Sequence, residues 1–177
     1  MTIAQRLTKA ATAVCPAVVG VSIGRRNDRS TYRVDYDGTE TPEQVAAVAV
    51  IVASFDPDAP TPEMVNAERD RRMRTITHNG RLYNFDAESQ INIAASCTLA
   101  ASAVAAGSQP GDLRWMSPTY DFFWIAADNS LVSMDAHQML AFGAAAAQYK
   151  SGLIFKARAL KDANPIPTDY THDRHWS

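Results

Sequence analysis

The sequence predicts an α+β protein of two small modules, built from repeated units in which a β-hairpin runs into a capped helix, with a helix-rich C-terminal module. Three observations carry that prediction. The hairpin pattern recurs at 18–36, 75–85 and 122–134, each time two short apolar or alternating runs around a polar turn. A helix-capping residue follows each copy: Thr41, Asp86 or Asp135, whose side-chain oxygen can accept from an orphan N–H of the first helical turn. A proline run, Asp56-Pro-Asp-Ala-Pro-Thr-Pro62, separates the first copy from the other two.

The elements follow in order. Ile3, Leu7 and Ala10–Ala11 recur at helical spacing, so residues 2–14 form a short amphipathic helix that Pro16 ends. In the first hairpin the alternation is strongest at Tyr32, Val34 and Tyr36. Thr41–Gln44 has the spacing of a capping box with Pro42 at the first helical position, and the helix runs to about Ser54. This first module, residues 1–55, is small for an independent fold and is expected to lean on a partner surface or a neighbouring subunit. Residues 56–62 read as a stiff, extended spacer of about 3 Å per residue.

The second module spans 63–163. It opens on a charged helix, Glu63–Arg74, in which Glu68 reaches Arg72 and Asp70 reaches Arg74 across one turn, the pattern of a solvated face. Asn79-Gly80 suits a two-residue turn with positive φ at both positions. The helix from 86 to 106 offers a narrow apolar face of Ile91, Ile93, Cys97, Leu99, Ala100 and Val104, and Gly107 suits the left-handed position after it. A Pro/Gly-containing loop, 108–121, leads to the third hairpin. The last helix, 135–162, places Met139, Phe142, Ala146, Tyr149, Leu153 and Leu160 at steps of three and four, as packing along a helical neighbour requires. Small residues, Ala94, Ala101, Ala146 and Ala147, are expected where the two long helices meet. Pro165 and Pro167 stop the last helix, and 164–177 reads as a polar tail ending near Trp176.

Composition narrows the function. With 46% hydrophobic and 20% charged residues the chain is an ordinary globular sequence, though its apolar share is rich in alanine. A net charge of −2 sets up no field that would gather nucleic acid or an anionic membrane, so neither is expected as a partner. The apolar stretch Val45–Phe55 is too short to span a bilayer, and no signal peptide is visible, which points to synthesis in the cytoplasm without membrane insertion. Cys15 and Cys97 read as two buried free thiols.

Ordered along residues 63–177 stand Glu68-Arg-Asp-Arg-Arg, Phe85-Asp-Ala-Glu-Ser, Trp124-Ile-Ala-Ala-Asp-Asn, Met134-Asp-Ala and Ile154-Phe-Lys-Ala-Arg-Ala-Leu-Lys-Asp-Ala. This set resembles a phage-associated domain of unknown function that recurs at the C-termini of tail-fibre, tail-tip and tail-fibre-assembly proteins of tailed bacteriophages. Ser30-Thr-Tyr-Arg-Val-Asp and Thr41-Pro-Glu-Gln are similar, more loosely, to short modules of phage structural genes. The resemblance implies a virion context and carries over no catalytic residue.

No catalytic, cofactor or metal site is expected. Asp169, His172, Asp173 and His175 have ligand chemistry, but they sit in a polar tail without a cysteine pair. His78 and His137 read as hydrogen-bonding histidines, Asp128 as a turn residue and Asp135 as a cap. No phosphate loop, nucleophile elbow or zinc-protease helix appears. The residues that stand out are aromatic: Trp115, Tyr120, Phe122, Phe123 and Trp124, with Trp176 in the tail. Strand alternation sends Phe122 and Trp124 to one face and Phe123 to the other, so one face is a candidate interface.

The expected function is that of a virion structural protein of the phage tail, in a tail fibre, tail tip or baseplate that attaches host-recognition parts. The alternatives are a tail-fibre assembly chaperone and a capsid decoration or head-fibre protein. Expected partners are other tail proteins and further copies of the chain in a trimer or hexamer, with a host-surface receptor or glycan as a further candidate. The three- or six-fold symmetry comes from the phage context; the residues do not specify it.

Overall fold

A computed structural model describes all 177 residues. It holds five α-helices and three two-stranded antiparallel hairpins, an α+β arrangement. Contacts divide the chain into two compact units, Met1–Ala59 and Pro60–Ser177.

The first unit runs α1 (Ile3–Val14), β1 (Val18–Ser22), β2 (Arg33–Tyr36) and α2 (Pro42–Ser54). Both helices start with a reciprocal capping box, Thr2 with Gln5 and Thr41 with Gln44, which satisfies two orphan donors at each end. β1 and β2 pair antiparallel with an irregularity between Val18 and Gly20. Leu7, Ala11, Cys15, Ala17, Val18, Tyr32 and Val48 are buried in this unit. Most of these side chains are small, so the core is thin. Only Val48 of α2 is fully covered, while Val45 and Val50 face outward.

The proline run departs from the extended spacer expected over 56–62. The Arg6 guanidinium donates to the carbonyls of Pro57 at 3.2 Å, Asp56 at 3.3 Å and Ala59 at 3.1 Å, and it lies over the Phe55 ring at 5.4 Å. Residues 56–59 therefore turn against α1 and belong to the first unit. Pro62 is not spacer either. It is the first residue of α3 (Pro62–Arg72), with Thr61 as the cap, because a proline at that position lacks only an N–H the helix cannot use.

The second unit continues from α3 with β3 (Thr75–His78), β4 (Arg81–Asn84), α4 (Ala87–Ala105), β5 (Phe123–Ile125), β6 (Leu131–Ser133) and α5 (Ala136–Asp162). Asn79 and Gly80 have φ of 48° and 73°, as the primed turn demands. Asp86 and Asp135 cap α4 and α5 by accepting from the N–H of Ser89 and Gln138. Gly107, at φ 99°, lets Ser108 N–H return to the Ala103 carbonyl at 3.0 Å and close α4.

α4 and α5 pack along each other. The core face of α4 is Ile93 and Ala100, both buried, with Cys97 and Val104 partly buried, whereas Ile91 and Leu99 are exposed. Of the four alanines expected at the contact, Ala146 is buried and Ala94, Ala101 and Ala147 are exposed. A tight contact lies instead at Gly143, where a Cβ would collide with the Cys97 thiol.

Residues 164–177 are not a free polar tail. Trp176 is buried with Val65, Leu153, Ala157 and Leu160. Its indole N–H donates to the Tyr170 carbonyl at 2.7 Å, and Lys156 donates to the Trp176 carbonyl at 2.8 Å. Arg72 lies over the indole ring at 5.2 Å and pairs with Asp173 at 2.7 Å. Part of the charged face of α3 is covered: the Glu68 side chain is 8% exposed and takes both Arg71 and Arg72 at 2.7 Å, while Arg71 and Asp70 stay open to water. Asp70 pairs with Arg69 rather than Arg74.

Candidate interface site

The aromatic residues separate into an inner ladder and an outer surface. Leu113 and Met134 anchor the strand start, since Phe122 N–H donates to the Leu113 carbonyl at 2.7 Å and Trp115 Nε1 donates to the Met134 carbonyl at 2.9 Å. Trp115 and Phe122 then pack with ring centres 4.7 Å apart, Phe122 and Trp124 at 6.3 Å, and Trp124 meets Phe142 of α5 edge-on at 5.9 Å. Phe122 is buried, and Trp115 and Trp124 are half-buried against the same core. This ladder holds the hairpin in place.

Phe123 points the other way, with Ile125 beside it on the same strand and Leu131 directly across from Ile125. They are 42%, 58% and 64% exposed, respectively. Tyr120 is exposed in the preceding loop, and Trp176 lies in a separate core cluster with α3 and α5. The six expected interface residues thus do not form one patch. Phe123 is the member on the outer hairpin face, and Ile125 and Leu131 complete that face. Strand period and hairpin register were the signals that could have found the latter two.

The turn joining the strands is rigidified by Asp128, whose carboxylate accepts from Ser130 N–H at 2.9 Å and from its hydroxyl at 2.6 Å; these bonds hold the Asp128 carboxyl below its usual value. Ala127 N–H reaches the Leu82 carbonyl at 2.9 Å, so the tip of the β5–β6 hairpin is tied to β4. Below the hairpin, Asp135 accepts from Gln138 N–H at 2.8 Å and Gly111 N–H at 2.7 Å. Burial would raise its carboxyl, but those donors outweigh burial and lower it. Asp128 serves as a turn residue and Asp135 as a cap.

The other polar candidates also have internal partners. His78 packs on Phe142 at 5.2 Å between ring centres, and His137 Nε2 lies 3.2 Å from the Ser108 carbonyl oxygen. In the tail, Asp169 meets Arg174 and lies 3.0 Å from His175, His172 Nδ1 accepts from Arg174 N–H, and Asp173 pairs with Arg72. No three His, Cys, Asp or Glu side chains gather as a metal site would require. Cys15 and Cys97 are both free thiols, but only Cys15 is buried, Cys97 being half-buried; its partial burial still pushes the Cys97 thiol up, away from the thiolate. No helix is long and apolar enough to cross a membrane.

Residues 56–172 match the family described as a domain of unknown function, DUF4376. The chain belongs to that family. The match takes in the second unit from α3 to α5 and stops short of Asp173 and Trp176, which close the α3–α5 cluster. No curated protein and no solved structure matches the chain.

Proposed function

We propose that the chain is a structural component of a bacteriophage tail, a tail-fibre, tail-tip or baseplate part that attaches host-recognition parts and works through contacts rather than catalysis. The observation that carries this reading is apolar surface left uncovered in both units. Val45 and Val50 project from α2 in the first, and Phe123, Ile125 and Leu131 from the third hairpin in the second, with Phe155 on α5. Isolated exposed apolar side chains are normal, but a cross-strand group on a hairpin anchored by an inward-facing aromatic ladder has the form of a contact surface. The phage setting rests on the ordered motifs of residues 63–177 and their resemblance to tail-associated domains. Around a tail axis, three or six copies are the expected assembly.

Mass spectrometry of purified particles, with sedimentation of the isolated protein, tests the proposal. The expected result is the chain in the particle, self-associating or binding a neighbouring tail protein. A strictly monomeric protein absent from particles would overturn it in favour of an assembly chaperone, and a position on the head in a particle reconstruction would make it a capsid protein.

A further inference from the structure

The outer edge of β5 is an unpaired strand edge, and a cleft lies along it. In the hairpin, Trp124 faces Val132, and the flanking bonds Ala126 N–H to the Ser130 carbonyl and Met134 N–H to the Phe122 carbonyl fix the phase of the ladder. Antiparallel pairing alternates, so the main-chain groups of Phe123 and Ile125 turn away from β6. No hydrogen bond from the rest of the chain reaches them. Two N–H and two C=O groups, two residues apart, therefore stand free along one line. The cleft beside them has a volume of about 440 Å³ and is lined by residues 122–125 together with Asn84, Ser89 and Asn92. Asn84 and Asn92 are exposed and make no side-chain hydrogen bond within the chain. No Asp, Glu, Lys or Arg lines the cleft. Strand edges are ordinarily blunted by shortness, a lysine, a proline or a bulge; Phe123-Trp124-Ile125 carries no lysine, proline or bulge, and its three-residue length limits the free edge to Phe123 and Ile125.

We infer that this edge takes up a short extended segment of a partner protein by strand addition. The free main-chain groups of Phe123 and Ile125 register the segment, and Phe123 and Ile125 flank its apolar side chains. The Asn84 and Asn92 amides can donate to or accept from its opposite edge. The uncharged lining selects a segment without charges where it enters, because an unpaired charge there would lose hydration without a counter-ion. A helix does not fit, since its own main-chain groups are already paired. A neutral saccharide would suit an aromatic ring beside amides, but it has no use for donors and acceptors at strand spacing. The inference rests on the reading of the third hairpin as a contact surface and does not depend on a place in the particle.

The test is selection of a random twelve-residue peptide library on the full chain, followed by amide hydrogen exchange with the enriched peptide. The expected peptides are uncharged and rich in β-formers, and they protect the Phe123 and Ile125 amides. Ile125→Pro removes one edge donor while leaving the bonds to β6, so it should weaken binding by about tenfold or more. Leu131→Pro makes the same change on the far edge of β6 and should stay within about twofold, since an edge proline there removes no cleft donor. If near-ultraviolet dichroism shows Ile125→Pro to be unfolded, Asn92→Arg fills the cleft from the exposed face of α4 and should give the same loss. No enriched peptide, or binding that survives both Ile125→Pro and Asn92→Arg, overturns the inference. Cellohexaose or maltohexaose shifting the Asn84 and Asn92 side-chain resonances without protecting the β5 amides overturns it in favour of a saccharide cleft. Failure here with the chain present in particles would leave the virion reading standing, and success with the chain absent from particles would do the reverse.

Discussion

Glu68 shows how a residue's partners can be read from sequence while its environment cannot. The spacing to Arg72 gave the pair, but Arg72 is itself held by the Trp176 ring and by Asp173, about a hundred positions away. A carboxylate that is 8% exposed depends on its two arginines. The hydrogen bond from Arg71 is the largest influence lowering its carboxyl below the ordinary 4.5, helped by Arg72 and opposed by burial. Arg71 is open to water, so solvent screens its share of the stabilisation, whereas the Arg72 pair is sheltered. Glu68→Gln should cost about 1.5–3 kcal/mol, the range for a hydrogen bond to a charged group. A folded-state value below the unfolded one means the contribution is fully present above the unfolded pKa and disappears as pH falls through the folded one. Urea midpoints of the native protein and Glu68→Gln should therefore differ by a constant amount at neutral pH and converge below about pH 4. A gap that persists undiminished into acid would remove the ion pair as its source.

At the scale of elements, local chemistry was the most legible part of the chain. Thr41, Asp86 and Asp135 each accept from the third helical N–H, and Asn79-Gly80 makes the expected turn, because caps and tight turns depend on residues a few positions apart. Which face of α4 is inside was less legible. Alanines and serines surround the apolar positions, so the true stripe of Ile93, Cys97, Ala100 and Val104 competes with one through Ile91 and Leu99. Two substitutions separate the faces: Ala146→Phe should destabilise by about 1–3 kcal/mol through overpacking, and Ala101→Phe should stay within about 0.5 kcal/mol. Equal effects in thermal unfolding would mean the faces are misassigned. Gly143 permits a close contact with α4, since its missing Cβ leaves room for the Cys97 thiol. Gly143→Ala should destabilise the protein by about 1–2 kcal/mol, net of the helix propensity alanine brings. In a Cys97→Ala background the clash is gone, and the same change should stabilise by up to about 1 kcal/mol. A cycle in which Gly143→Ala has one sign in both backgrounds would place its effect elsewhere than in the thiol contact.

Over the whole molecule, the long-range closures were the part the sequence concealed. Proline-rich 56–62 suggested a spacer, yet Arg6, some fifty residues earlier, gathers three carbonyls from 56–59. Polar 164–177 suggested solvent, yet Trp176 completes a core with Val65 and Leu160. Neither closure has a periodic signal, since each depends on one side chain meeting a distant surface. The two units also differ in what holds them. The first has seven buried apolar residues, among them Ala11, Cys15 and Ala17, and chains of its size bury too little surface for a comfortable margin. The second encloses two clusters that include Tyr83, Phe85, Phe142 and Trp176. The fragment 60–177 should accordingly fold alone, with a cooperative melt and the near-ultraviolet dichroism of its packed aromatics. The fragment 1–59 should unfold with a far lower midpoint unless a partner or another copy covers Val45 and Val50 on α2. Concentration-dependent stability of fragment 1–59 would identify self-association as that cover. A fragment 60–177 that melts without cooperativity would show that its core depends on the first fifty-nine residues, against the division by contacts.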